Sequence, residues 1–152
     1  MPIKVAALDV YGTIIPSDFD CNSPSRLFFD IFFDNCDKRG IKVVTSSDGQ
    51  TGSVKNHLTL AFTSYNKKHN CKNKLSVERF DDFFQLDQGL KDFSIIIGHY
   101  DIIPKELLVI GNDPNEDIYA ALKLGANAIL CPTYWTDEGE EWDFSKINLD
   151  DI

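Results

Sequence analysis

Ala6-Ala7-Leu8-Asp9-Val10-Tyr11-Gly12-Thr13-Ile14 is an apolar run that stops at a carboxylate and then turns on Gly-Thr. The run begins at Ile3 and has no polar face, so it reads as a strand buried on both sides, as in a parallel sheet covered by helices. Three further runs share that character: Ile41 to Thr45, Leu107 to Ile110 and Ala126 to Cys131. Helical patterns lie between them. Such alternation predicts an α/β protein, a three-layer α/β/α Rossmann-like fold with a parallel sheet.

Working outward, Ser23-Pro24 is a good N-cap and first-turn pair. Leu27, Phe28, Ile31 and Phe32 follow with helical spacing, and Gly40 is a stop. Ser53 can cap a second helix whose stripe is Val54, Leu58, Ala61, Phe62 and Tyr65, fading into a polar turn from Lys67 to Lys74. Phe80 to Leu86 reads as an edge strand weakened by Asp81 and Asp82. Lys91 to Ile103 contains a β-branched triplet, yet its place between two strands calls for a crossover helix, and helix is preferred. Asp113-Pro114 opens a helix through Ala120, Ala121, Leu122 and Leu124 that Gly125 ends. Beyond Pro132 the chain reads as an acidic surface loop and closing segment.

The length of 152 residues, 43% of them apolar, predicts one domain over 1–152 with a real core. A formal charge of −9 repels polyanions, so no nucleic-acid partner is expected; Lys67, Lys68, Lys72 and Lys74 read as a solvated helix end without interleaved aromatics. Cys21, Cys36, Cys71 and Cys131 form no C-x-x-C pair and read as buried, reduced thiols. No stretch has the form of a signal peptide or a membrane span, so a cytoplasmic protein without a membrane partner is expected.

In a doubly wound sheet the ligand sits beyond the carboxyl ends of the strands. The polar residues there are Asp9 and Thr13, then Thr45, Ser46 and Ser47, then Asn112, Asp113 and Asp117, with Lys91 ahead of the helix leading back to the last group. Carboxylates, hydroxyls and one ammonium suit a hard divalent cation and a phosphoryl group: oxygen ligands with room for water favour magnesium, and the lysine offsets charge on the transferring group. Asp9 then stands as a nucleophile. Singly, these fragments are ordinary turn and capping residues.

In their order they resemble the haloacid dehalogenase-like hydrolase superfamily, from Ile3 to about Pro132. Ala6 to Ile14 looks like its first motif, Val43-Val44-Thr45-Ser46 like the second, Lys91 in Gly89-Leu90-Lys91-Asp92 like the third, and Val109 to Asp117 like the acidic fourth. The resemblance implies a magnesium-dependent phosphatase. Asp9 would form an aspartyl phosphate with Lys91 assisting. Tyr11, Gly12, Thr13, Thr45 and Ser46 would line the phosphoryl group of a small molecule or macromolecule. Asp9, the Tyr11 carbonyl, Asp113 and Asp117 would hold the metal.

This chain departs from the family in several places. Where the family's phosphatases carry a second Asp, two residues past the nucleophile, stands Tyr11, and a phenol of pKa about 10 is a poor general base. The family's dehalogenases share Asp-x-Tyr-Gly-Thr, since halide leaves without a proton. Those enzymes enclose their substrate beneath a large cap, and only about thirty residues separate Thr13 from Val44 here, so no large cap is expected. Neither Arg26 nor Arg39 sits where the family binds halide. Gly111 is followed by Asn112, so either Asn112 and Glu116 or Asp113 and Asp117 face the metal; the latter pair is preferred because both are carboxylates. Lys91 lies nearer Gly111 than the family places it, and could be an ordinary surface lysine.

His57, His69 and His99 show no spacing shared with the acids and read as ordinary histidines. Ser46-Ser47-Asp48-Gly49 lacks a nucleophile elbow. Phe28, Phe29, Phe32 and Phe33 cover more of a helix than one core face needs, and an exposed pair would suggest a homodimer. A capless phosphatase is the leading reading. Its alternatives are a catalytically degenerate module that binds or regulates, and a haloacid dehalogenase-type hydrolase.

Overall fold

The computed structural model describes residues 2–70, 74–134 and 142–152, so Cys71 and Lys72 lie outside the described residues. Its strands are β1 (Val5–Leu8), β2 (Lys42–Ser47), β3 (Asp82–Gln85), β4 (Leu107–Gly111) and β5 (Asn127–Leu130). They form one five-stranded sheet in the order β3-β2-β1-β4-β5, and every pairing is parallel. The sequence-based strands are all present, and Phe80 to Leu86 supplies the edge that was expected of it.

The central strand β1 pairs Leu8 with Thr45 of β2 and with Ile110 of β4, so Asp9 emerges one step beyond two aligned strand ends. Alternate residues of the central strands feed two separate cores. Leu8, Val43 and Ile110 face α1 (Phe29–Arg39) and α2 (Thr51–Lys68); Ala7, Val44 and Val109 face α3 (Ser94–Tyr100) and α4 (Ala120–Lys123). Helices therefore cover both faces, which is why these strands carry no polar side. Burying one such Leu, Ile or Phe contributes about 1.5–3 kcal/mol.

The first crossover differs from expectation. The helix begins at Phe29, not at Pro24, because Ser25 N–H bonds Ala61 O at 3.2 Å and Arg26 N–H bonds Ile14 O at 2.7 Å, spending those backbone groups on tertiary contacts. Phe28 has φ 65°, outside the helical region, and its N–H donates to the Tyr65 hydroxyl at 3.2 Å. Phe29, Phe32 and Phe33 are buried and Phe28 is half-exposed, so no exposed phenylalanine pair forms. α2 likewise starts at Thr51, ahead of the expected Ser53 cap. Its N-cap, Gln50, makes no side-chain capping bond.

The closing segment is less superficial than its acidity suggests. Phe144 is buried, with its ring 4.6 Å from that of Phe29, and Ile147 joins the same core. Cys36 and Cys131 are buried free thiols as expected, but Cys21 is exposed. Among the described residues, no helix is long and apolar enough to cross a membrane.

Candidate active site

Asp9 leaves β1 with its N–H on Ile110 O at 3.0 Å, and its side chain is almost fully buried. Lys91, whose side chain is 3% exposed, places its ammonium 3.1 Å from Asp9 Oδ1 and 2.6 Å from Asp117 Oδ1. The two residues flanked by apolar segments thus meet a third from the fourth motif inside the protein. Lys91 is no surface lysine. Its loop is pinned by Glu116, whose backbone carbonyl accepts from Lys91 N–H and whose carboxylate accepts from Gly89 N–H, both at 3.3 Å.

The triad's electrostatics follow from burial. Burial raises the pKa of Asp9 despite the opposing Lys91 charge, and burial followed by repulsion from Asp9 pushes Asp117 up to about 6. For Lys91 burial acts to lower the pKa, but the two carboxylates outweigh it and hold the ammonium above its usual value. Two acids sharing one base leave the site with a surplus of negative charge when all are ionised.

The segment after Gly111 sets the members of both expected pairs in different surroundings. Asp113 N-caps the following turn, its Oδ1 accepting from the backbone N–H groups of Asn115 and Glu116 at 2.8 Å each. Pro114–Tyr119 is a π-helical turn in which Ile118 N–H reaches back to Asp113 O at 3.2 Å. That wider turn absorbs one extra residue. In consequence Asp117 turns inward to Lys91, and it is Asn112 rather than Asp113 whose side chain reaches the first motif. Asn112 Oδ1 lies 3.4 Å from the Thr13 hydroxyl, which in turn lies 3.3 Å from Asp9 Oδ2. Of the pair expected to face the metal, Asp113 caps the turn through Oδ1 and Asp117 faces Lys91.

Gly12 has φ +85°, and a Cβ there would come within 2.4 Å of the Asn112 amide nitrogen, so both conformation and space call for glycine. On β2, Thr45 and Ser46 are buried at the sheet's carboxyl end; the register sets Ser46 level with Asp9, one step past the Leu8–Thr45 pair. The Ser46 hydroxyl is buried without a hydrogen-bond partner. A buried orphan hydroxyl costs about 1–3 kcal/mol unless a ligand or water satisfies it.

Tyr11 is turned toward α2, where its hydroxyl lies 2.6 Å from His57 Nδ1, and Phe19 packs on the same imidazole at 5.1 Å between ring centroids. Burial, and then the charge of Asp48, raise the Tyr11 pKa further, so this phenol stays protonated. Sequence reasoning missed His57, whose spacing carries no signal, and Thr133, whose hydroxyl accepts from Asn112 Nδ2 at 3.1 Å. Thr133 follows β5, so a search of every strand's carboxyl end would have found it. It also missed Arg26, a buried guanidinium 3.4 Å from Thr13 O and 4.5 Å from the centre of the Trp142 ring; Arg39 instead pairs with Asp150 on the surface.

Among the described residues no group of three His, Cys, Asp or Glu side chains could hold an ion. Lys91 occupies Oδ1 of Asp9, and the potential ligands on the Oδ2 side are oxygens: Oδ2 itself, the Asn112 amide oxygen across the Thr13 hydroxyl, and the backbone. That set fits a hard cation that keeps several waters, such as magnesium.

No family model and no curated protein matches the chain. Solved structures do. The Unknown transcript 4 protein of Saccharomyces cerevisiae superposes with TM-score 0.64 at 13% identity, over 95% of this chain and 100% of its own. A haloacid dehalogenase-like phosphatase of Thermococcus onnurineus gives 0.63 at 13% identity, over 93% and 92%. The N-terminal part of a Bacteroides fragilis protein, containing a phosphatase domain and complexed with Mg, gives 0.63 at 17% identity over 86% of this chain. This chain covers only 36% of that one. The chain has the haloacid dehalogenase-like fold.

Proposed function

We propose that this protein is a hydrolase that transfers a phosphoryl group to Asp9 and then to water. The observation that carries the reading is the buried convergence of Asp9, Lys91 and Asp117 from three distant stretches of sequence, beside the unpartnered Ser46 hydroxyl. An isolated structural ion pair needs no third charge and no orphan donor at its edge.

In the first step an Asp9 carboxylate oxygen attacks phosphorus in line. The bond to the leaving oxygen breaks, and that oxygen departs with the electron pair. Lys91 offsets the charge on the transferring group, and the hydroxyls of Thr45 and Ser46 donate to its oxygens. In the second step water attacks the phosphorus of the acyl phosphate, regenerating the carboxylate and releasing inorganic phosphate. Magnesium, when bound, supplies further charge stabilisation. Asp9, the Tyr11 carbonyl and the Asn112 amide oxygen would hold it, while Asp117 serves to orient Lys91.

No carboxylic acid stands at position 11 to protonate a leaving group. Acyl and aryl phosphates, whose leaving groups need no proton, are therefore the expected substrates, small or macromolecular. Phosphate release from acetyl phosphate with and without magnesium tests the reading. Asp9→Asn is expected to lower the rate at least about a thousandfold; release that survives this change would refute it. A second reading, a degenerate binding module, is favoured by the engagement of the Tyr11 hydroxyl with His57. It requires phosphate binding without turnover.

A further inference from the structure

Position 112 poses a problem that a carboxylate there would not. The two oxygens of a carboxylate are equivalent, whereas an amide has an acceptor end and a donor end, and only the oxygen can face a cation. Asn112 is built into the site by its neighbours: Cys131 N–H bonds Gly111 O at 2.9 Å and Tyr134 N–H bonds Gly12 O at 2.7 Å. These two bonds hold the segment from Cys131 to Tyr134 alongside both the first and the fourth motif. Thr133 lies between them.

We infer that Thr133 is the positioning residue for divalent-cation binding, acting through Asn112. Its hydroxyl oxygen accepts the Asn112 Nδ2 hydrogen at 3.1 Å, which turns Oδ1 to the side where the Thr13 hydroxyl and Asp9 Oδ2 lie. With Thr133 removed, rotation of the amide by half a turn would present its NH2 group to the cation and repel it. The inference rests on the cation chemistry of the proposed phosphatase, but its test reads binding, not turnover.

The test is calorimetric titration of magnesium into the whole protein and its variants. Loss of an outer-shell partner typically weakens a metal site about 10–100-fold, so Thr133→Val is expected to weaken magnesium at least about tenfold. Thr133→Ser, which keeps the hydroxyl, is expected to bind within about threefold of the wild type. The decisive arm is Asn112→Asp, which removes the need for orientation: on that background Thr133→Val is expected to change affinity less than about twofold. Wild-type protein that takes up no magnesium overturns the inference. So does a Thr133→Val variant equal to wild type, or a loss of equal size on the Asn112→Asp background, which would mark a merely structural threonine. Phosphate release from acetyl phosphate, followed in the same samples, stands or falls with Asp9 and separates the two claims.

Discussion

The carboxyl end of β1 has two dissimilar flanks. Toward β4 it meets a buried ion triad in which Lys91 bridges Asp9 and Asp117. Toward β2 it meets an aromatic group, Tyr11 with His57 and Phe19, in which the phenol is tied to an imidazole. The first flank is expensive to build, since taking three charges out of water is repaid only by close mutual pairing. A site kept at that cost supports the chemistry proposed for Asp9 and Lys91. On the other flank, the Tyr11 hydroxyl is spent on a neighbour.

The largest expected effect strikes the charged flank. Lys91→Met leaves two buried carboxylates without their cation, and removal of one partner from such a pair costs about 3–5 kcal/mol. Urea unfolding is expected to show that loss, alongside a fall of about a hundredfold or more in phosphate release. An unchanged midpoint would mean that the triad is not formed in solution. On the aromatic flank the effect is smaller and of opposite sign. Tyr11→Asp restores an acid and is expected to raise turnover of alkyl phosphates by about a hundredfold, while barely changing acetyl phosphate. A variant that gains nothing would place the defect beyond the missing acid.

The smallest effect is a slope in pH. Asp117 titrates at about 6 in the folded protein against an ordinary 3.8, so between those values the folded chain keeps a proton that the unfolded chain has lost. Its contribution to stability therefore falls as pH rises through that window, and Asp9, shifted in the same direction, adds to the fall. Lys91 acts at the other end: its contribution is complete below 10.5 and is lost only as pH rises through its higher folded value. Unfolding midpoints across the acidic window are expected to fall less steeply in Asp117→Asn than in the wild type. Parallel curves would contradict the shift.

The sheet could be read from the chain because strands buried on both faces leave largely apolar runs: β1 and β5 lie within one, and β2 and β4 begin in one and extend one or two residues past it. Asp9, Lys91 and Asp117 could be singled out because a strand end or a helix start marks each of them, and the structure brings the three together. The register at Gly111 was hidden: pattern reading assumes an α-helical step, and only the π-turn over Pro114–Tyr119 reveals that Asp113 is spent on capping. Likewise the late start of α1 depends on Arg26 and Ser25 bonding to distant backbone, which no local propensity records. His57 stayed silent because the Tyr11 hydroxyl it meets is 46 positions away.

The central claim is that Asp9 becomes covalently phosphorylated. Rapid acid quenching of the protein with acetyl phosphate and magnesium, followed by peptide mass spectrometry, tests it directly. The account predicts one phosphoryl group on the peptide carrying Asp9, absent from the Asp9→Asn variant. A label on any other residue, or steady phosphate release with no labelled peptide at any quench time, would contradict it.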